Sequence, residues 1–262
     1  MPINNSPEAR SLAVFCDFEN VALGVREAKY AQFDMEKVLE RLLAKGSIVV
    51  KKAYCDWERY KEFKNAMHAA AFELIEIPHV RQSGKNSADI RMVVDALDLC
   101  YTKEHVDTFV IVSGDSDFSP LVSKLRENAK TVIGVGVKNS SSDLLISNCD
   151  EFIYYDDLVR QDEQKRRAQK KRRESAPAGE DKRQEAIDLV LGTLEALTAE
   201  RGAEEKIWGS MVKQALKRRN PGFNESYYGY KAFSDLLEDA EKRNLIKLEP
   251  DEKSGGYVIR AA

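Results

Sequence analysis

The sequence predicts an α/β fold, a mainly parallel sheet covered by helices on both faces, followed by a smaller α+β unit. Three observations predict it. Apolar runs of strand length alternate with stretches of helical period over residues 10–158. Those runs are near-continuously apolar, as in strands buried on both sides of a sheet. From Gln184 the alternation gives way to amphipathic helices and a terminal hairpin.

Leu12-Ala13-Val14-Phe15-Cys16 reads as the first buried strand, ending at Asp17-Phe18-Glu19-Asn20. Asp34 is an N-cap for a helix carrying Met35, Val38, Leu39, Leu42 and Leu43, stopped by Gly46. Ser47 to Tyr54 reads as a second strand. Glu58 to Phe72 reads as a helix with Phe63, Met67, Ala70 and Ala71 at helical spacing, and Glu73 to Pro78 as a third strand. A helix opens at Ser87 or Ala88, with Ile90, Val93, Val94, Leu97 and Tyr101 as its apolar stripe. The strand Thr108 to Ser113 follows, then a helix from Ser119 to Asn128 and a strand from Thr131 to Val137. A short helix, Ser141 to Ser147, and a last strand, Glu151 to Tyr155, complete the alternation.

The 262-residue chain is 43% hydrophobic and 32% charged, the composition of a globular protein with a charge-rich surface. Cys16, Cys55, Cys100 and Cys149 lie far apart, and only three histidines are present. This excludes a zinc signature and a dense disulfide frame and predicts a reducing, cytoplasmic setting. The N-terminus lacks a basic-then-apolar signal, and no apolar run approaches membrane-spanning length.

The chemistry concentrates at Val110-Ile111-Val112-Ser113-Gly114-Asp115-Ser116-Asp117-Phe118, a strand running into a turn with two carboxylates. Asp17 ends the first strand, and Asp89 sits in the first turn of a helix. Strand carboxyl ends and the amino ends of the following helices share one edge of a parallel sheet, so Asp17, Asp89, Asp115 and Asp117 face one crevice. Acids that close repel unless a cation neutralises them or one takes up a proton, and Mg²⁺ prefers such hard oxygen ligands. Each acid also has a plainer reading, as a turn residue or a helix-dipole partner. Asp95, about 240° around its helix from Asp89, is expected to be structural or to act behind the ligands. Gly134-Val135-Gly136 lies inside a strand and lacks the rest of a dinucleotide fingerprint.

Phe15-Cys16-Asp17-Phe18-Glu19-Asn20, Lys85-Asn86-Ser87-Ala88-Asp89 and Ser113-Gly114-Asp115-Ser116-Asp117-Phe118-Ser119-Pro120-Leu121 together resemble the NYN domain, in particular its LabA-like branch. The resemblance covers about residues 10–158. It implies a PIN-like α/β fold and a divalent-metal-dependent ribonuclease acting on single-stranded or structured RNA. It further implies that Asp17, Asp89, Asp115 and Asp117 hold Mg²⁺ or Mn²⁺ and that Asn20 orients a ligand or phosphate. Lys85 and the hydroxyls of Ser113 and Ser116 are candidates to steady a phosphate, with ordinary loop polarity as the alternative. Arg59, Lys61 and Lys64, interleaved with Trp57 and Tyr60, are candidates to guide a strand by charge and stacking, with a solvated helix face as the alternative.

Lys165-Arg166-Arg167-Ala168-Gln169-Lys170-Lys171-Arg172-Arg173 and Ser175-Ala176-Pro177-Ala178-Gly179 make residues 159–183 a basic, flexible linker suited to phosphate contact, with a nuclear-localisation look-alike or a solvated helix extension as the alternatives for the basic run. In residues 184–262, apolar stripes at Ile187–Leu197, Trp208–Leu216 and Tyr230–Ala240 mark helices. Leu245 to Leu248 and Tyr257-Val258-Ile259 mark a hairpin. Together they predict a small winged-helix domain. Asn220-Pro221-Gly222-Phe223-Asn224, Tyr228-Gly229-Tyr230 and Phe233-Ser234-Asp235-Leu236-Leu237 resemble the OST-HTH (LOTUS) domain, which implies RNA binding or docking. Lys213, Lys217, Arg218 and Arg219 form a basic helix end suited to phosphate or to solvent. The sequence thus predicts a ribonuclease with an accessory RNA-binding domain, against a catalytically silent RNA-binding adaptor and, third, a metal-dependent phosphatase. The expected partner is RNA rather than a membrane, and a homodimer is left open.

Overall fold

A computed structural model describes residues 10–28, 30, 33–77, 87–174, 181–202, 205–251 and 256–261. The chain divides into two compact units, the first of residues 1–39 and 46–162, the second of residues 40–45 and 163–262.

The first unit opens with β1 (Arg10–Asp17), α1 (Phe18–Glu27), α2 (Met35–Lys45), β2 (Gly46–Cys55), α3 (Lys61–Ala69) and β3 (Glu73–Glu76). It continues with α4 (Ser87–Thr102), β4 (Thr108–Val112), α5 (Ser119–Glu127), β5 (Thr131–Gly136), α6 (Asp143–Asn148), β6 (Glu151–Tyr154) and the start of α7 (Tyr155–Glu174); α2 from Glu40 and α7 from Glu163 count with the second unit. Among the described residues, six strands form one sheet in the order β3-β2-β1-β4-β5-β6, every pair parallel. This is the expected α/β class, with helices flanking the sheet.

The chain runs β1 to β3 toward one edge of the sheet, then returns to lay β4 against the other side of β1. The seam between β1 and β4 is therefore the topological switch point, where open α/β sheets place their ligands. Both strands are buried almost throughout. Phe15 and Phe109 stack with centroids 6.0 Å apart, on a face shared with Met92 and Phe118. A second aromatic cluster gathers Phe33, Trp57, Tyr60 and Phe63 around Phe18, the first residue of α1. Of the cysteines, Cys16, Cys55 and Cys100 are buried and all four are free thiols, as expected of small apolar side chains.

Several elements differ from expectation. Helix α1 starts directly after Asp17, where only a turn was expected, because the Asp17 carboxylate accepts from the Asn20 amide and caps it. Helix α3 begins later than Glu58, since Asp56 forms a turn whose carbonyl and carboxylate accept from the Arg59 and Glu58 amides. It ends before Ala71, which stands at φ +57° and closes the helix as a left-handed cap. In α4 the buried face is Met92, Ala96 and Cys100, and the expected core residues Ile90, Val94 and Tyr101 are exposed. The helix is apolar on two faces, so its apolar pattern alone does not choose the buried one. The basic segment expected as a flexible linker is helical as far as Glu174, within α7; Ser175 to Gly179 lie outside the described residues.

The second unit contains α8 (Asp181–Arg201), β7 (Ile207–Trp208), α9 (Gly209–Arg219), α10 (Phe233–Lys242), β8 (Ile246–Asp251) and β9 (Gly256–Ala261). Its strands form an antiparallel sheet in the order β7-β9-β8. One core joins Ile187, Val190 and Leu194 of α8 to Val212 and Leu216 of α9, Leu236 and Leu237 of α10, and Ile259 of β9. Among the described residues no helix is long and apolar enough to cross a membrane.

Candidate functional site

Asp17 is the last residue of β1. The pairing of Cys16 with Val112 sets it beside Ser113, the first residue after β4. The Ser113 hydroxyl donates to Asp17 Oδ2 at 3.0 Å, and the Asn20 amide donates to Asp17 Oδ1 at 3.3 Å. Asn20 also bridges the seam, its Oδ1 accepting from the Gly114 amide at 2.9 Å. Asp115 donates its amide to Ser113 Oγ, and its own Oδ1 accepts from the Asp117 amide at 3.0 Å, capping a 3₁₀ turn over Ser116–Phe118. On the other side, the Gly114 carbonyl accepts from the Ser142 amide at 2.9 Å. A Cβ on Gly114 would stand 2.4 Å from the Ser140 carbonyl oxygen, so only glycine fits this crossing.

Four expected acids share one electrostatic neighbourhood. Asp17 is only 8% exposed, and its carboxyl is pushed up to about 7. Burial is the main cause, Asp89 the next and Asp115 a smaller one, against the lowering effect of the Asn20 and Ser113 donors. Asp89, half-buried at the start of α4, is pushed up to about 6 by burial and then by Asp115, Asp117 and Glu19. Glu19, in the first turn of α1, is the acid that sequence reasoning passed over. Its signal was its place between Asp17 and Asn20. Arg59 pairs with it at 3.2 Å.

Other expected residues divide. Asn20 stands at the site, and Ser116 is half-buried on the turn between Asp115 and Asp117. Ser113 is fully buried with its hydroxyl committed to Asp17, so it fixes the carboxylate and does not meet a phosphate. Lys85 lies outside the described residues. Trp57 is 1% exposed, packed on Phe18 at 5.1 Å, with its indole N–H donating to the Ile75 carbonyl. It is a core residue and not a base-stacking surface. Lys61 and Lys64 both pair with Glu58. Asp95 is structural, accepting from Tyr54 Oη at 2.8 Å and pairing with Lys52 and Arg91. In the second unit Lys213 pairs with Glu225 at 2.8 Å, and Arg219 donates to the Gly192 carbonyl at 3.1 Å.

The donor set fits a hard divalent cation in chemistry, as oxygen-only and anionic. Among the described residues, however, no three His, Cys, Asp or Glu side chains are gathered closely enough to hold an ion as they stand.

Three comparisons bear on this geometry. The model of the NYN domain matches residues 11–156. An uncharacterized protein of Methanocaldococcus jannaschii is 29% identical over 125 residues, 48% of this chain and 49% of that protein. The chain thus matches about half the length of that curated relative. The crystal structure of a protein of unknown function from Vibrio parahaemolyticus superposes with a TM-score of 0.52 at 28% identity. It covers 58% of this chain and 97% of that one.

Proposed function

Since the chain belongs to the NYN domain family, whose fold is nuclease-like, we propose that it is a metal-dependent ribonuclease of the LabA-like branch that hydrolyses RNA phosphodiester bonds. The observation that carries this reading is the crowding of other acids around Asp17 and Asp89. Both are raised toward neutrality, and each feels the other acids at the carboxyl end of the central strands. Burying mutually repelling carboxylates costs stability, and a site that does so is suited to a positively charged partner.

Asp17, Asp89, Asp115 and Asp117 would hold Mg²⁺ or Mn²⁺ after side-chain rotation. When bound there, the cation supplies positive charge that activates water and offsets charge on the phosphate. The chain's own residues set the frame. Ser113 and Asn20 fix both oxygens of Asp17, the Gly114 crossing aims Asp115, and the first turn of α4 brings Asp89. Ser116 remains a candidate phosphate contact.

The second unit supports the reading of an accessory RNA-binding domain of OST-HTH type. Its helices α8, α9 and α10 with the β8–β9 hairpin supply the elements that a winged helix needs. A catalytically silent RNA-binding adaptor is the second reading, favoured by the absence of a gathered ligand triad among the described residues.

Cleavage of end-labelled single-stranded RNA with Mn²⁺ or Mg²⁺, against EDTA and against Asp115→Asn, separates the two. The nuclease reading predicts metal-dependent cutting reduced at least about 100-fold in the variant. RNA binding without cutting under every metal condition moves the assignment to the adaptor.

A further inference from the structure

We propose that the outward face of α4 is a self-complementary interface on which a second copy of this chain packs, helix against helix and antiparallel. Ile90, Val94 and Tyr101 are 62%, 56% and 62% exposed, and Leu97, half-buried between them, also packs against the inner core. A helix that buries Met92, Ala96 and Cys100 on one side thus carries a second apolar stripe on the other.

The spacing of that stripe is informative. Positions 90, 94, 97 and 101 are separated by four, three and four residues, the 3.5-residue repeat of a coiled-coil seam. That spacing sets the four side chains along one line on which a second helix can pack, and contiguous exposed apolar patches mark association sites.

Charge identifies the occupant. Arg91 and Asp98 each follow a seam residue by one position, so they line the same flank of the stripe. The Arg91 side chain is 57% exposed and is held on that flank by Asp95 at 3.1 Å, and Asp98 is exposed. When two copies of one helix pack antiparallel, like flanks meet. Ile90 then lies opposite Tyr101 of the second copy, Val94 opposite Leu97, and Arg91 beside Asp98, with every contact made twice. A parallel pair does not bring Arg91 to Asp98. The face is complementary to itself in spacing and charge, as a two-fold interface must be.

Asp89 stands one residue before the seam. The two acid clusters therefore fall at opposite ends, about 20 Å apart along the helix axis. A single helix face is small for a specific complex, so the dimer dissociates on dilution.

Sedimentation velocity of the full chain over a concentration series tests this. The wild type is expected at twice the chain mass at about 100 μM and at the monomer mass on dilution. Val94→Glu, at an exposed position, is expected to be monomeric throughout with an unchanged melting temperature. Arg91→Asp and Asp98→Arg are each expected to weaken association at least about tenfold. The double variant R91D/D98R, or an equimolar mixture of the two single variants, restores it. Circular dichroism confirms that each variant is folded. A monomeric wild type at the highest concentration overturns the proposal. A dimer indifferent to Val94→Glu does so as well, as does a folded double variant that stays monomeric.

Discussion

Asp17 has two hydrogen-bond donors, and still its carboxyl rises to about 7 rather than falling, because burial and the neighbouring acids outweigh the donors. An unfolded chain holds the same group near ~3.9. The folded state therefore binds a proton more tightly. The stability this group contributes is complete below its unfolded value and is lost as pH rises through about 7. In EDTA, the melting temperature of the first unit is expected to fall between pH 5 and pH 8. Asp17→Asn removes the charge and keeps the shape, so it should flatten that slope while abolishing cleavage. At pH 8 it should stabilise the unit by a few kcal/mol, because each tenfold difference in proton affinity between folded and unfolded chain is worth ~1.4 kcal/mol. A steeper loss in the variant would refute this assignment. The acids themselves were legible in the sequence because each ends an apolar strand or opens a helix. The commitment of Ser113 to Asp17 was not, since it depends on the pairing of Cys16 with Val112 across strands far apart in sequence.

At the scale of elements, the site rests on two close packings. Gly114 passes within contact of the 140–141 backbone, so Gly114→Ala forces a shift that a flexible side chain could not absorb. A loss of about 1–3 kcal/mol is expected in denaturant titrations, with weaker cleavage because Asp115 moves with the turn. Trp57 closes the aromatic cluster over Phe18. Trp57→Ala is expected to cost about 3–5 kcal/mol, and an unchanged midpoint would return Trp57 to the surface role its neighbours had suggested. Helical period told helix from strand at most positions. It did not reveal α1, because Asp17 serves at once as strand end, helix cap and site residue. Nor did it choose the inward face of α4, where apolar residues occupy two sides and only the packing of β1 and β4 decides between them.

For the whole molecule, the decisive feature is strand order. Alternating composition specified a parallel α/β sheet, but adjacency of β1 and β4 arises from a return of the chain that local pattern does not encode. That return brings acids from residues 17 and 115 together, and it confines them to one of the two compact units. Cation binding to the acids stabilises only what it touches. Hydrogen exchange with Mn²⁺ is therefore expected to slow in β1 and β4 and to be unchanged in α8, α9 and α10. Equal protection of both units would mean that the ion binds elsewhere.

If these carboxylates form one cation site, Mn²⁺ titration by calorimetry at pH 8 detects it. Wild-type chain is compared with the Asp17→Asn/Asp115→Asn double variant. Saturable binding is expected for the wild type and its loss for the folded variant. Equal Mn²⁺ affinity in the two proteins would contradict it.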